Sequence, residues 1–445
     1  MGLLCLRGNL TSQKNILDDS GPSEQAERSI KMAAKVLALT STSQLGSSEA
    51  LAKGATKKVQ GQYSIENYCV KDSQESRTSL WSVPYLNHTE YRCFAGFFAG
   101  STAALALQSC EDANMPHHLI VAGEDGGLVL ANYETGETVC QWHSAHRRDV
   151  NALTRPLSSG VFASASRDQL VKVWDLHREE AVCELRGHTA NVTGVTMLAD
   201  SNFLVSGSRD NTIRLWDLER AEEVQCGDIK QNVVQFVRWV PQLHCVAQGG
   251  EDLTLRLWDV RMSASGRNAL GLRLATTLTC IDYHPVCCEL LPGDGGSRLL
   301  TGHNGFNGHG AYVLQWDLRM QKYLRTFHGH SGTVRSIRAH PQPELTVAQE
   351  FLSTGDDESM IFFSLDAASA ETTVTADPRS IFKVNEGRVT CLDACANGDI
   401  FASTWGGAVL VLRSTSPDSE VKVPVKRYRC FGAKGAPNGD VWCDG

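Results

Sequence analysis

The stretch Gly187–Leu218, GHTANVTGVTMLADSNFLVSGSRDNTIRLWDL, decides how the rest of the chain is read. It opens on a Gly-His pair and carries two short apolar runs, VTGVTM and FLVSGS. A turn with Arg209-Asp210-Asn211 follows, then a run that ends in Trp216-Asp217. Runs of this length and patterning form half-buried strands. Asp-Asn suits a tight turn, because both side chains bond nearby backbone groups and tolerate unusual dihedrals. Three strands in this order make most of a four-stranded blade. The spacing also allows Asp210 to approach His188, with Ser206 and the Trp216 indole as the next partners. Such a buried polar chain rigidifies a sheet only when every member is satisfied.

The pattern repeats. The place of Trp216-Asp217 is taken by Trp174-Asp175, Trp258-Asp259 and Trp316-Asp317, at intervals of 42, 42 and 58 residues. Weaker copies end at Ala131-Asn132, at Phe363-Ser364 and near Leu412, which gives seven. A lone blade leaves its faces wet, so seven units at this period predict a closed ring spanning 79–413. Closure usually takes an outer strand from the far end of the chain. Leu80–Tyr85 and Val421–Tyr428 are both candidates, with Pro84 and Pro424 suiting an edge position.

The repeats differ in completeness. His146, Ser164, Asp168 and Trp174 form a full set, as do His188, Ser206, Asp210 and Trp216. The fourth repeat keeps Asp252 and Trp258 but has Gln248 in the serine place. The sixth has His330, Ser353 and Asp357, with Phe363 replacing the tryptophan. A His-Ser-Asp catalytic triad occurs once, in a cleft, whereas these sets recur at a fixed place in each repeat and read as framework. The fifth repeat carries an insert, TGHNGFNGHG at 301–310, with Asn304, Phe306, Asn307 and two histidines among four glycines. It lacks the Gly-Lys-Ser/Thr of a phosphate loop, and two histidines without a third ligand make a poor metal site. Two readings stand: Phe306 anchors a partner, or the loop folds back and buries it.

The 445 residues, 42% hydrophobic and 21% charged, have an ordinary globular balance. A net charge of −8 gives no expectation of nucleic-acid binding. Fifteen cysteines without a disulfide or zinc framework imply reduced thiols in the cytoplasm, with no metal and no cofactor. Residues 1–78 are rich in Ser, Gln, Lys and Thr and are expected to be mostly disordered, with a short helix over 23–39. Gly2 and Cys5 are candidate lipidation sites, which would make any membrane contact peripheral. Leu6 departs from the usual acylation pattern. Residues 414–445 read as a C-terminal tail.

The runs SASRDQLVKVWDLH, GSRDNTIRLWDL, NVVQFVRWVP and EDLTLRLWD, with NGFNGHG ahead of LQWDLR, resemble the WD-repeat propeller family across roughly 90–413. That resemblance implies an all-β, seven-bladed β-propeller. The order of the pieces, above all the NGF insert, is similar to a member of that family associated with cilium assembly and ciliary trafficking. It implies a non-enzymatic adaptor, in the cytoplasm or at a cilium or basal body, working as a monomeric propeller within a complex. Arg167, Arg209, Glu251 and Asp356 precede the turn aspartates or their equivalents and are expected to project outward as a split-charge surface for a protein or peptide. An alternative is a reader of a phosphorylated peptide, gripped by Arg167 and Arg209 from adjacent blades.

Overall fold

The computed structural model describes residues 103–414, apart from short connecting segments of which 262–270, 340–349 and 366–373 are the longest, together with strands at 65–68, 89–94 and 427–430. The chain divides into two compact units, Met1–Ser48 and Glu49–Gly445, and the first lies outside the described residues. So do Gly2, Cys5, the helix expected over 23–39 and Leu80–Tyr85.

Seven antiparallel blades follow one another, each built on four strands. They span 104–142, 150–186, 192–228, 234–279, 285–328, 334–383 and 389–414. The third shows the plan: Val192–Met197 is innermost, then Phe203–Ser208, Thr212–Asp217 and Glu222–Asp228 outward. The all-β, seven-bladed propeller expected from the repeats is the fold that forms. Val374–Ala376 adds a parallel fifth strand to the edge of the fifth blade.

Each innermost strand carries the same irregularity near its start, between Val192 and Gly194 in blade three and between Val389 and Cys391 in blade seven. A bulge there adds twist and turns a side chain toward the neighbouring blade. Asn151 uses it to donate to the Val192 carbonyl at 2.8 Å, and Thr193 to the Val234 carbonyl at 2.7 Å. Thr390 does the same to the Ala104 carbonyl, joining the last blade to the first. Apolar packing runs through the same seam, where Leu107, Leu119 and Val121 meet Phe401, Val409 and Val411. The large rings buried between blades include Trp216, Trp316, Phe351 and Phe363. Removing any one opens a cavity that its neighbours cannot close cheaply.

The outer strand of blade seven is Thr89–Phe94, paired with Val409–Ser414. It is neither of the two segments proposed from the sequence. Thr89–Phe94 makes six consecutive ladder pairs without a proline, so every N–H that faces the partner strand can donate. Leu80–Tyr85 contains Pro84 and Val421–Tyr428 contains Pro424. The C-terminal strand Arg427–Cys430 pairs with Ile65–Tyr68 instead.

Candidate functional site

The connections between second and third strands all lie at one end of the blades, and this turn face holds most of the residues singled out in the sequence. In blade three, His188 Nδ1 lies 2.9 Å from Asp210 Oδ2, and its Nε2 lies 2.7 Å from Ser206 Oγ. The Trp216 indole donates to Ser206 Oγ at 2.8 Å rather than to the histidine. The partners define the proton order: Trp216 donates to Ser206, Ser206 to His188, and His188 to Asp210. Asp210 also accepts the Thr189 and Thr212 N–H groups, which fixes the turn. Asn211 takes a φ of 65° there, a left-handed value that Asn tolerates.

Blade two repeats this with His146, Ser164, Asp168 and Trp174 at 2.9, 2.7 and 2.8 Å. Burial pushes the Asp168 carboxyl up, but hydrogen bonds from His146 and the Arg147 N–H outweigh it and leave its pKa at about 2. The same balance holds Asp210 and Asp357 well below the usual carboxylate range. In blade six His330 bridges Asp357 at 3.1 Å and Ser353 at 2.8 Å, and Phe363 stacks on Phe351 where the indole would be. A serine whose lone pair takes an indole proton and whose histidine is locked against a turn is committed to framework.

Blade four breaks the chain. Trp258 donates to Gln248 Oε1 at 3.3 Å, and the buried Asn232 accepts the Asp252 N–H. The Asp252 carboxylate turns instead to Arg256 and Thr254. The Nδ2 of Asn232 and Nε2 of Gln248 are buried without a hydrogen-bond partner among the described residues. Unsatisfied donors of this kind cost stability, so this blade is the less well-bonded copy.

Blade five corrects the boundaries read from the sequence. Thr301 and His303 belong to the strand Arg298–His303 and are fully buried, so the insert begins only at Asn304. Trp316 donates to Thr301 Oγ1 at 2.8 Å, Thr301 meets His303 Nε2 at 2.9 Å, and His303 Nδ1 donates to the Tyr283 carbonyl at 2.7 Å. A histidine from the strand itself thus ends the polar chain. Burial lowers its pKa to about 4, so it is neutral near pH 7.

The rest of the insert is a tight hairpin. Phe306 and His309 exchange backbone hydrogen bonds at 2.9 and 3.1 Å. Asn307 and Gly308 between them have φ of 53° and 78°, the Asn-Gly signature of a two-residue turn with positive φ at both centres. Gly308 N–H donates to the Ser331 carbonyl, and Asn304 accepts the Thr333 hydroxyl at 2.8 Å, so both the turn and the base are tied to the next blade. At its foot Gly305 and Gly310 pass too close to Ala311 and Tyr283 to admit a Cβ. Phe306 is 77% exposed, which decides against the reading in which it plugs its own blade.

The four turn charges are exposed or half-buried, each beside a counter-charge. Arg167 meets Asp149 at 3.2 Å, Arg209 meets Glu251 at 3.4 Å, and Asp356 takes a two-pronged contact from Arg335 at 2.9 and 2.6 Å. Glu251 also accepts from Gln235. Arg167 and Arg209 are therefore engaged by separate carboxylates. Sequence reasoning passed over Trp405, 56% exposed in the Thr404–Gly407 turn of blade seven. Its signal was a tryptophan followed by two glycines, away from the strand-end position that the other repeats give to tryptophan. Phe306 and Trp405 are thus exposed aromatic rings on one face, on the blades either side of the Arg335–Asp356 pair.

Among the described residues no group of three or more His, Cys, Asp or Glu is placed to hold a metal ion, and no helix is long and apolar enough to cross a membrane. Residues 137–175, 179–217 and 321–364 match the family model of the WD domain, G-beta repeat. Each matched stretch begins just ahead of the outer strand of one blade and ends at or just past the third strand of the next, so every matched repeat staples two blades. The three matches end in blades two, three and six, the ones with complete histidine–serine–aspartate chains. Three stretches of the chain match the WD40 repeat, and the chain closes into a seven-bladed propeller.

Proposed function

We propose that this protein is a non-enzymatic scaffold that docks other proteins or peptides on its turn face, with Phe306 and Trp405 as anchors. One observation carries the reading: Phe306 is 77% exposed on a hairpin whose base is tied down by Thr333 and whose turn is tied down by Ser331. A large ring held out at the tip of an ordered turn loses little freedom on binding, which is what a hot-spot residue needs. Propellers with WD40 repeats typically serve as interaction platforms, and the polar chains of blades two, three and six are spent on framework. Asn304 and Asn307 lie on the Phe306 hairpin, and Glu251 and Asp356 lie on the turns of blades four and six.

The finer reading rests on resemblance. The order of the repeats and the NGF hairpin resemble WD repeat-containing protein 31, which suggests a role in cilium assembly and trafficking and a place in the cytoplasm, cilium or basal body. A phosphopeptide reader is the weaker alternative, since Arg167 and Arg209 already face Asp149 and Glu251. Proximity labelling with the wild type and with Phe306→Ala, scored for proteins lost from the variant, tests the scaffold reading. An unchanged set of labelled proteins removes it. Ciliary components in the lost set support the finer assignment, and their absence counts against it.

A further inference from the structure

Blade six lends part of its own polar chain to the hairpin of blade five. The connection between the two blades, Ser331-Gly332-Thr333, bonds blade six on one side and the hairpin on the other. Toward blade six, Ser331 N–H donates to Asp357 Oδ2 at 2.9 Å, and the Thr333 carbonyl accepts the Asp356 N–H at 2.9 Å. Gly332 sits so close to this turn that a Cβ there would come within 3.1 Å of the Asp357 nitrogen. Toward the hairpin, the Ser331 carbonyl accepts the Gly308 N–H at 2.8 Å. The hydroxyl of the buried Thr333 lies 2.8 Å from Asn304 Oδ1 and 3.1 Å from the Gly305 carbonyl.

A two-residue hairpin is marginal by itself and needs support from outside. Phe306 and His309 supply its cross-strand bonds, and the Asn304 N–H ties its base to the His284 carbonyl at 3.0 Å. Among the described residues, the Gly308–Ser331 bond is the only hydrogen bond from the tip, 306–309, to another element. Asp357 thus acts at one remove. Its carboxylate fixes the Ser331 N–H, and the carbonyl of that same residue fixes Gly308. The Asp357 side chain is 5% exposed, so any effect it has on docking must pass through the hairpin.

Blade three has the same connection without its second side. Thr189 N–H donates to Asp210 Oδ2 at 2.9 Å, and the Asn191 carbonyl accepts the Arg209 N–H at 2.8 Å. Among the described residues no hydrogen bond joins Thr189 to the blade-two turn 167–169. Two aspartates with one framework role therefore differ in whether a hairpin hangs on the residue they hold.

We propose that Asp357, acting through the Ser331–Thr333 connection, is a positioning residue for the Phe306 hairpin and holds Phe306 in the pose that docks. The consequence for docking rests on the reading of Phe306 as an anchor; the hold on the hairpin does not. A ring already held gives up less freedom on binding.

The test is hydrogen–deuterium exchange of the hairpin amides in the full chain, read at Gly308. Asp357→Asn leaves one acceptor oxygen where two now serve His330, Ser331 and Ser359. It should speed exchange at Gly308 by roughly tenfold, the worth of one hydrogen bond. Asp210→Asn makes the matching change in blade three and should leave Gly308 at the wild-type rate. Thr333→Val should also speed exchange in the hairpin, and Thr333→Ser, which restores the hydroxyl, should reverse it. Unchanged exchange in Asp357→Asn, or equal acceleration in Asp210→Asn, would overturn the proposal. Should Asp357→Asn not fold, unchanged hairpin exchange in Thr333→Val would overturn it instead. Partner capture is the second readout. Proteins lost with Phe306→Ala should be lost with Asp357→Asn and kept by Asp210→Asn, and their full retention by Asp357→Asn would overturn the proposal. If exchange responds as expected while Phe306→Ala loses no protein, the docking reading fails and the hold of Asp357 on the hairpin stands.

Discussion

Blades three and five share a strand plan and a buried tryptophan, yet their polar chains end differently. In blade three the chain runs Trp216, Ser206, His188, Asp210, and its last member pins the turn. In blade five it runs Trp316, Thr301, His303 and stops on the Tyr283 carbonyl, inside the sheet. The interior is satisfied either way, since each donor finds an acceptor. Only blade three spends its turn on that task. Blade five leaves the connection between its second and third strands free to become a hairpin that carries an exposed phenylalanine. A binding element thus sits where the framework has been re-anchored elsewhere.

The largest expected effect lies in the framework. Trp216→Ala should cost about 3 to 5 kcal/mol in urea denaturation, since it opens a cavity and strips the donor from Ser206. Phe363→Ala should cost somewhat less, because no indole bond is lost there. Equal or reversed losses would show that packing alone accounts for these positions.

The next effect is a pH dependence carried by His303. His303 has a folded pKa of about 4 against an ordinary value of 6.5, so the unfolded chain takes up the proton first. Its contribution is complete above pH 6.5 and falls away toward pH 4, by on the order of 3 kcal/mol. His303→Gln should flatten the stability profile in that window. A slope unchanged in the variant would place the proton uptake elsewhere.

Asp168 acts lower on the scale and in the opposite structural role. Its folded pKa of about 2 lies below the ordinary 3.8, so its stabilisation is present above pH 3.8 and lost as pH falls through 2. Roughly 2 kcal/mol is at stake, and Asp168→Asn should remove that part of the acid transition. Persistence of the full acid loss in the variant would count against the tetrad as its source.

The repeats made the fold legible because strand length, turn residues and the terminal tryptophan recur at a fixed period. His188, Ser206 and Asp210 were readable for the same reason, although spacing alone did not reveal that Ser206 stands between the indole and the imidazole. Blade five was misjudged at its edge: Thr301 and His303 look like loop residues beside glycines, and only pairing with Leu314 and the Tyr283 carbonyl shows them to be strand and core. Trp405 went unnoticed because its exposure depends on a turn that lacks the aspartate by which the others were found. The ion-pair chain Arg155, Asp393, Arg338, Glu289 and Arg238 was beyond reach, since its members come from five blades and lie up to 238 residues apart.

The smallest expected effect on stability belongs to the residue that matters most for function. Phe306→Ala should move the urea midpoint by less than about 0.5 kcal/mol, as a substitution at an exposed tip does. Partner binding should weaken by on the order of 2 kcal/mol. Quantitative affinity capture by the purified wild type and this variant from the same extract is the most direct measurement, taken with the two proteins matched in urea midpoint. The account predicts a distinct set of proteins depleted from the variant. Identical capture by both, or a variant that has lost several kcal/mol of stability, would contradict it.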